Sequence, residues 1–519
     1  MSNLVVGRPR RLVLGLGLLL VDLVIASPAL SLETANAAAI RPTPYPGGRW
    51  EPGPAKFGAT EVDDIAVKMD DGIVLRASIA YPTDLATGKR AAGAFPVVVE
   101  HTPYVRFANP VAPLTFFAEH GYITVVVRAR GTGASEGTVE LFSPRDGLDG
   151  KAIVNWAAHD LEGSDGRVAM IGCSYPGGLA LLAAAQVGRD SPLKAVVAAC
   201  VGLNNVNRQS WMVDGLPTTG FANYSAYGAA LWGDSPPAKK FFDFIVTGVM
   251  KGQDPAYERA FWGDRIPIRL AKDIVDNDVP VLLWSGWGDI VETGAVRAYT
   301  DFQNAHAHRP LGGPMAPGQA TTPRYQLIMG NWEHGGGLDL GVYLEWIETW
   351  LNGVDTGIQK TTTAMHAFEA GSGRWTNLAG YPAVKASTPL YLGRSERLET
   401  VRPSADGKNE LRWGPPERPH GRLTFTTQPL ERGVTLAGPI SATIYARSRT
   451  RNLELIARVY DVGADGAAVL ISKGAVLGSQ RALDRVYSWA DSSGVVTWPW
   501  PTLNGDDYPE VIFTISTYK

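Results

Sequence analysis

Apolar and polar positions fall into alternating blocks along most of this chain. Ile73 to Tyr81 follows the turn Asp70-Asp71-Gly72 and reads as a strand. Phe95 to Glu100 and Ile123 to Val127 are short, β-branched and apolar on both faces, the pattern of central parallel strands. Leu114 to His120 reads as a helix that stops at Gly121, and Gly147 to His159 as a second one. Val168 to Ile171, Ala195 to Cys200, Val279 to Ser285 and Tyr325 to Met329 continue the series of buried strands. Strands and helices in this alternation predict an open α/β sheet with right-handed crossovers. In such sheets reactive groups gather just beyond the carboxyl ends of the strands.

Two stretches break the alternation. Residues 204–278 are long, helical in pattern and rich in aromatics, among them Trp211, Phe221, Tyr224, Tyr227, Trp232, Phe242 and Trp262. Placed directly after a central strand, they predict a helical cap over the strand ends, bounding a mostly apolar pocket. Beyond about Gly353 the pattern changes to short strands separated by Gly, Pro, Asp and Asn turns. Leu390 to Leu392, Arg422 to Phe425, Ile440 to Ala446, Leu453 to Tyr460, Val469 to Gly474 and Val511 to Ser516 predict an all-β antiparallel sandwich. The expected layout is an α/β catalytic part over 61–203 and 279–355, a cap over 204–278, and a β-sandwich over 356–519.

Composition narrows the class. With 519 residues, the chain is too long for a single core. A hydrophobic share of 45% and a charged share of 19% are those of a soluble globular protein. A net charge of −3 offers no electrostatic attraction to nucleic acid or to an acidic membrane surface. The first residues differ from the rest. Arg8, Arg10 and Arg11 precede an apolar run from Leu12 to Ala26, and small residues ending in Ala35-Asn36-Ala37-Ala38 follow. That order predicts a signal peptide over 1–37, cleaved near Ala37, and a secreted protein without stable membrane insertion. Residues 38–60, rich in proline and glycine, then form an extended N-terminus. The two cysteines, Cys173 and Cys200, end neighbouring predicted strands, a placement that allows a bridge, and read first as buried free thiols.

Candidate chemistry centres on the run from Val168 to Gly178. An apolar strand ends at Gly172, Ser174 follows, then Gly177-Gly178 and the small residues that open a helix. A serine on such a strand–turn–helix is pushed out beside the positive end of the helix, where it can act as a nucleophile. Its hydroxyl needs a base and an orienting acid. Asp289 stands just past the strand Leu282 to Ser285, and His334 just past Leu327 to Met329. Taken singly, Asp289 reads equally well as a helix cap and His334 as a surface loop residue. Their chain order of serine, acid, histidine, each at a strand end, favours a triad. No metal or organic cofactor is implied.

These motifs resemble the cocaine-esterase-like and X-Pro dipeptidyl-peptidase-like serine hydrolases of CocE/NonD type. Ser174-Tyr175 with its late glycine is similar to that family's G-x-S-Y-x-G elbow. Arg130-Gly131-Thr132-Gly133-Ala134-Ser135-Glu136-Gly137, Gly286-Trp287-Gly288-Asp289 and Gly330-Asn331-Trp332-Glu333-His334 are similar to its other motifs. The resemblance implies an α/β-hydrolase sheet followed by a jelly-roll-like sandwich. It implies Ser174 as nucleophile, His334 as base and Asp289 as its orienter. It also implies an oxyanion hole from the Tyr175 amide and the Tyr104 phenol. The residues agree with this, because Tyr175 keeps its N–H and Tyr104 lies just past the strand Val97 to Val99. Arg128 replaces a customary aspartate, and Asn331 a customary proline. The expectation is a serine hydrolase that cleaves small esters or amides, with X-Pro dipeptide release as the alternative. A non-catalytic binding protein is the alternative of another class, should Arg128 disable the site.

Overall fold

The computed structural model describes residues 50–104, 115–203, 212–213, 216–217, 235–257, 260–383, 387–404, 408–412, 421–431, 433–447, 452–491, 493–502 and 512–516. The expected signal peptide over 1–37, and Trp211, Phe221, Tyr224, Tyr227 and Trp232 of the expected cap, lie outside these residues.

The main body is one ten-stranded sheet. Its strands are β1 (Gly58–Lys68), β2 (Val74–Thr83), β3 (Phe95–Thr102), β4 (Ile123–Arg128), β5 (Ser164–Cys173), β6 (Leu193–Ala199), β7 (Val281–Gly288), β8 (Tyr325–Glu333), β9 (Met365–Glu369) and β10 (Arg374–Leu378). They lie in the order β1-β2-β4-β3-β5-β6-β7-β8-β9-β10. From β4 to β9 every neighbouring pair is parallel, and antiparallel strands close both edges. The continuous apolar runs follow from burial on both faces, because successive side chains point to opposite sides. Val97, Val99, Val168, Met170, Val196 and Ala198 face one core, whereas Val98, Ala169, Ile171, Ala195 and Val197 face the other.

Helices cover both faces. α2 (Pro144–His159), α3 (Tyr175–Gln186), α5 (Leu270–Asp276) and α6 (Glu292–His306) contribute to the first core. α1 (Thr115–Glu119) and α7 (Leu340–Trp350) contribute to the second. The start of α2 is specified locally: Ser143 accepts the Arg145 N–H while Asp146 accepts the Ser143 N–H, a capping box. In the expected cap, α4 (Pro236–Met250) buries Ala238, Phe242 and Ile245 against the first core.

One boundary moves. The sequence assigns everything after residue 355 to the sandwich, yet β9 pairs in parallel with β8, and β10 closes a hairpin on it. The sheet therefore continues to Leu378. Beyond it the described strands form small antiparallel pairs: Tyr391–Leu392 with Leu398–Glu399, Ser441–Tyr445 with Ile512–Ser516, Glu454–Val462 with Ala468–Leu477, and Trp489–Ala490 with Val496–Trp498. The expected strand Arg422 to Phe425 is not one. It lies beside a single bridge, Thr426 to Arg397.

Candidate active site

Ser174 sits between β5 and α3 at φ +65° and ψ −125°. A non-glycine residue there is strained, and the surroundings hold it in place. The Ser174 N–H donates to Ala199 O at the end of β6, 2.8 Å away, and the Gly178 N–H donates to Ser174 O. The turn closes so tightly that a Cβ on Gly172 would lie 2.4 Å from the Pro176 carbonyl carbon. Pro176 occupies the first turn of α3, where its missing N–H needs no partner.

Three strand ends bring the site together. The Ser174 hydroxyl donates to His334 Nε2 at 2.9 Å, and His334 Nδ1–H donates to Asp289 Oδ1 at 2.7 Å. Asp289 follows β7, and its side chain is fully buried. Its carboxylate accepts the Ser285 hydroxyl at Oδ2 (3.0 Å) and the Val291 N–H at Oδ1 (3.1 Å). Asp289 thus also fixes the turn that leads into α6, although Val291, not Asp289, is the N-cap residue of that helix. Burial opposes protonation of His334, but the Asp289 charge and its hydrogen bond outweigh burial and push the imidazole up to about 9.

The His334 loop is fixed by a tryptophan wedge. Trp332 stacks on Trp284 with ring centroids 5.6 Å apart and planes 19° from parallel. A Cβ on Gly330 would lie 2.1 Å from the Trp332 ring, and one on Gly286 2.0 Å from the Trp332 carbonyl oxygen. The glycines of both the acid and the histidine motifs are therefore the space into which Trp332 folds.

Tyr104 and Tyr175 meet on the serine as well. The Tyr104 hydroxyl donates to Ser174 Oγ at 3.2 Å, and the Tyr175 N–H points at the same phenol oxygen at 3.4 Å. Burial pushes the Tyr104 phenol up to about 12, which keeps it a donor at neutral pH. The Tyr175 side chain anchors the elbow from behind. Its hydroxyl donates to Asp146 Oδ2 at 3.3 Å and accepts the Phe142 N–H at 3.0 Å, and its ring stacks on Phe142 at 4.0 Å.

The structure thus brings together Ser174, Asp289, His334, Tyr104 and Tyr175. It adds Ser285, Trp332, Asp146 and Cys200, whose Sγ accepts the Gly335 N–H at 3.2 Å. Of these only Ser285 carries a signal in the sequence, a polar residue ending a buried strand beside the acid. Arg128 leaves the triad alone: its guanidinium donates to Ser78 on β2 at 3.0 Å. Arg130 is a clamp. It holds Asp149 of α2 through two bonds of 2.8 Å and also reaches Asp71 at 2.9 Å.

Comparison with known proteins agrees with this geometry. The family described as X-Pro dipeptidyl-peptidase (S15 family) matches residues 71–336, and its C-terminal non-catalytic domain matches residues 352–497. No curated protein matches the chain. Among solved structures, a CocE/NonD family hydrolase from Staphylococcus aureus superposes with a TM-score of 0.65 at 16% identity, covering 92% of this chain and 89% of that one. An α-amino acid ester hydrolase gives 0.64 at 18% identity, covering 91% and 88%. An aminopeptidase from a marine sediment Thaumarchaeota archaeon gives 0.62 at 17% identity, also covering 91% and 88%. At these identities the likeness establishes the α/β-hydrolase fold, while the first family match spans just over half of the chain. The protein belongs to the X-Pro dipeptidyl-peptidase (S15) family and is a serine hydrolase.

Proposed function

We propose that the protein cleaves ester or amide bonds of small acyl compounds through an acyl-enzyme on Ser174. The observation that carries this reading is the unbroken hydrogen-bond chain Asp289–His334–Ser174, with a phenol donor on the same serine. As Ser174 Oγ attacks the carbonyl carbon, its proton passes to His334 Nε2. The buried Asp289 carboxylate stabilises the imidazolium that results. The developing oxyanion takes the Tyr175 N–H and the Tyr104 O–H, donors worth about 3–4 kcal/mol each in the transition state. His334 then protonates the leaving alcohol or amine. In the second half, water gives its proton to His334 and attacks the acyl carbon, and Ser174 is restored. Every proton in this scheme moves between protein, substrate and water, with no metal or cofactor in any step.

The family's description favours a second substrate reading, release of X-Pro dipeptides, which needs an anion for the substrate's α-amino group. Four carboxylates are open to that role from sequence. Glu292 is buried at the start of α6, three residues past Asp289. Asp243 is bound to Lys239 at 2.6 Å, and Asp214 and Asp234 lie outside the described residues. A fluorophosphonate probe tests the mechanism: the folded wild type labels at Ser174, and persistent labelling of Ser174→Ala overturns the assignment. Turnover of short-chain aryl esters against an Ala-Pro anilide tests the substrate class, since strong preference for the anilide makes dipeptide release the primary activity.

We further propose that residues 1–37 are a signal peptide of a secreted protein and that the part beyond Leu378 is jelly-roll-like. Among the described residues no helix is long and apolar enough to cross a membrane. Mass spectrometry of protein recovered from culture medium is expected to start near Ala38, and an intact Met1 excludes the cleavage.

A further inference from the structure

Cys173 ends β5 directly before Ser174, and Cys200 directly follows β6. The two strands are parallel neighbours, and Cys173 is in register with Ala199. Side chains alternate along a strand, so a regular continuation of β6 sends residue 200 to the face opposite Cys173. Cys200 instead adopts a φ of +52°, a left-handed value that costs a non-glycine residue energy and re-aims its side chain. Both side chains pack into the same core cluster, and both thiols are free. Cys200 Sγ also accepts the Gly335 N–H, one residue past His334. One thiol is therefore joined by the chain to the serine, and the other is tied to the loop that carries the histidine.

We propose that Cys173 and Cys200 are a reversible redox site, and that their closure into a disulfide disables the catalytic centre. The inference rests on Ser174 and His334 being nucleophile and base. With hydrogen peroxide as oxidant, the half-buried Cys173 reacts first. Its thiolate attacks one peroxide oxygen, the O–O bond breaks, and the leaving hydroxide takes up the thiol proton as water. Cys200 Sγ then attacks the sulfur of the Cys173 sulfenic acid. The S–O bond breaks, and a second water carries away the Cys200 proton. Two thiols and one peroxide give one disulfide and two waters. The neighbouring Cys173 and burial hold the Cys200 thiol well above its ordinary range, so closure quickens as pH rises.

The bond disables the site through geometry. A disulfide holds its sulfurs about 2.05 Å apart, far inside the contact distance of two unbonded thiols, so Cys173 and the adjoining Ser174 are drawn toward β6. Cys200 at the same time loosens its hold on Gly335. A displacement of about 1 Å between a nucleophile and its base costs on the order of a hundredfold in rate.

The test treats the full chain with hydrogen peroxide, removes the oxidant with catalase, and follows ester turnover, fluorophosphonate labelling and intact mass together. The expected result is a mass lower by two hydrogens, a peptide linking Cys173 to Cys200, and turnover reduced at least about tenfold. Dithiothreitol restores all three, a readout that needs no substitution. Cys173→Ser and Cys200→Ser form no link, and each keeps its own untreated turnover to within about twofold. Equal inactivation of either variant overturns the proposal, as does a linked wild type that still turns over. Absence of any link after treatment overturns it too. Wild type that never labels at Ser174, even before oxidation, overturns the nucleophile assignment instead, while the link is still scored by mass.

Discussion

Val97, Val98 and Val99 in β3 are completely buried, whereas Ile456 and Val469, in the paired strands Glu454–Val462 and Ala468–Leu477, are 67% and 63% exposed. The ten-stranded sheet carries a core on each face. The long hairpin of the C-terminal part packs a few partly buried neighbours around buried Val476. Its tightest attachment lies elsewhere, where Trp489, Trp498 and Trp500 surround Arg297 of α6 at 5.0, 5.1 and 4.1 Å. The first region holds the reactive groups on strand ends that cannot move without breaking its core. The second contributes none of the five site residues and is held to the first by an aromatic cage. Substitutions in the two regions should therefore fail differently: chemistry without stability in one, stability without chemistry in the other.

The largest effect belongs to Ser174→Ala, which removes the nucleophile and relieves rather than creates crowding. Turnover should fall about 10⁶-fold, with the thermal midpoint unchanged or slightly raised. Unfolding of this variant would break the comparison at its strongest point. Next comes Asp289→Asn, expected to cost about 10⁴-fold in kcat. It also has a signature in pH. His334 is held near 9 by the Asp289 charge against the opposing effect of burial. The base works only when deprotonated, so kcat/KM in the wild type rises with pH through that value. Without the charge, burial alone acts and the imidazole loses its proton more readily. The rising limb of Asp289→Asn must then move toward acid, and a limb that stays in place means that His334 is not the titrating base. Tyr104→Phe removes one donor and leaves the ring, so kcat should fall about 10²–10³-fold with KM little changed. A loss confined to KM would assign the phenol to substrate binding.

The same contrast explains which parts of the molecule are legible in its sequence. Central strands such as Ile123–Arg128 and Tyr325–Glu333 announce themselves, because burial on both faces demands unbroken apolar runs whoever the neighbours are. Ser174, Asp289 and His334 are legible for the same reason, as polar residues at the ends of such runs. Edge strands depend on partners. Met365–Glu369 and Arg374–Leu378 are short and carry no long apolar run, and only the parallel pairing of the first with β8 gives them to the sheet rather than to the sandwich. Arg422 to Phe425 has the alternation but, among the described residues, only the single bridge at Thr426 beside it. Trp332, Asp146 and Cys200 act through folded loops and across strands, contacts that no local spacing encodes.

Arg297 gives the smallest catalytic effect and the sharpest test of the division. It is 2% exposed, and its guanidinium donates to the carbonyls of Gly312 and Tyr487 while lying among three indoles. Trp489 Nε1 donates to the same Gly312 oxygen at 2.6 Å, so that carbonyl keeps a partner when the arginine is removed. Arg297→Ala should therefore lose the cation–π attraction and one to two charge-assisted bonds, lowering stability by about 2–4 kcal/mol. Arg297→Lys keeps the charge but not the planar fork and should recover only part of that. Arg297 lies on α6 eight residues past Asp289, with the buried first turn of that helix between them. Below the melting transition, kcat should stay within about fivefold of wild type, since the Asp289 carboxylate is positioned by Ser285 and Val291 rather than by the cage. A kcat loss as large as that of Tyr104→Phe, in a variant that still melts like wild type, would mean that the C-terminal part sets the geometry of the acid loop and that the two regions are one catalytic unit.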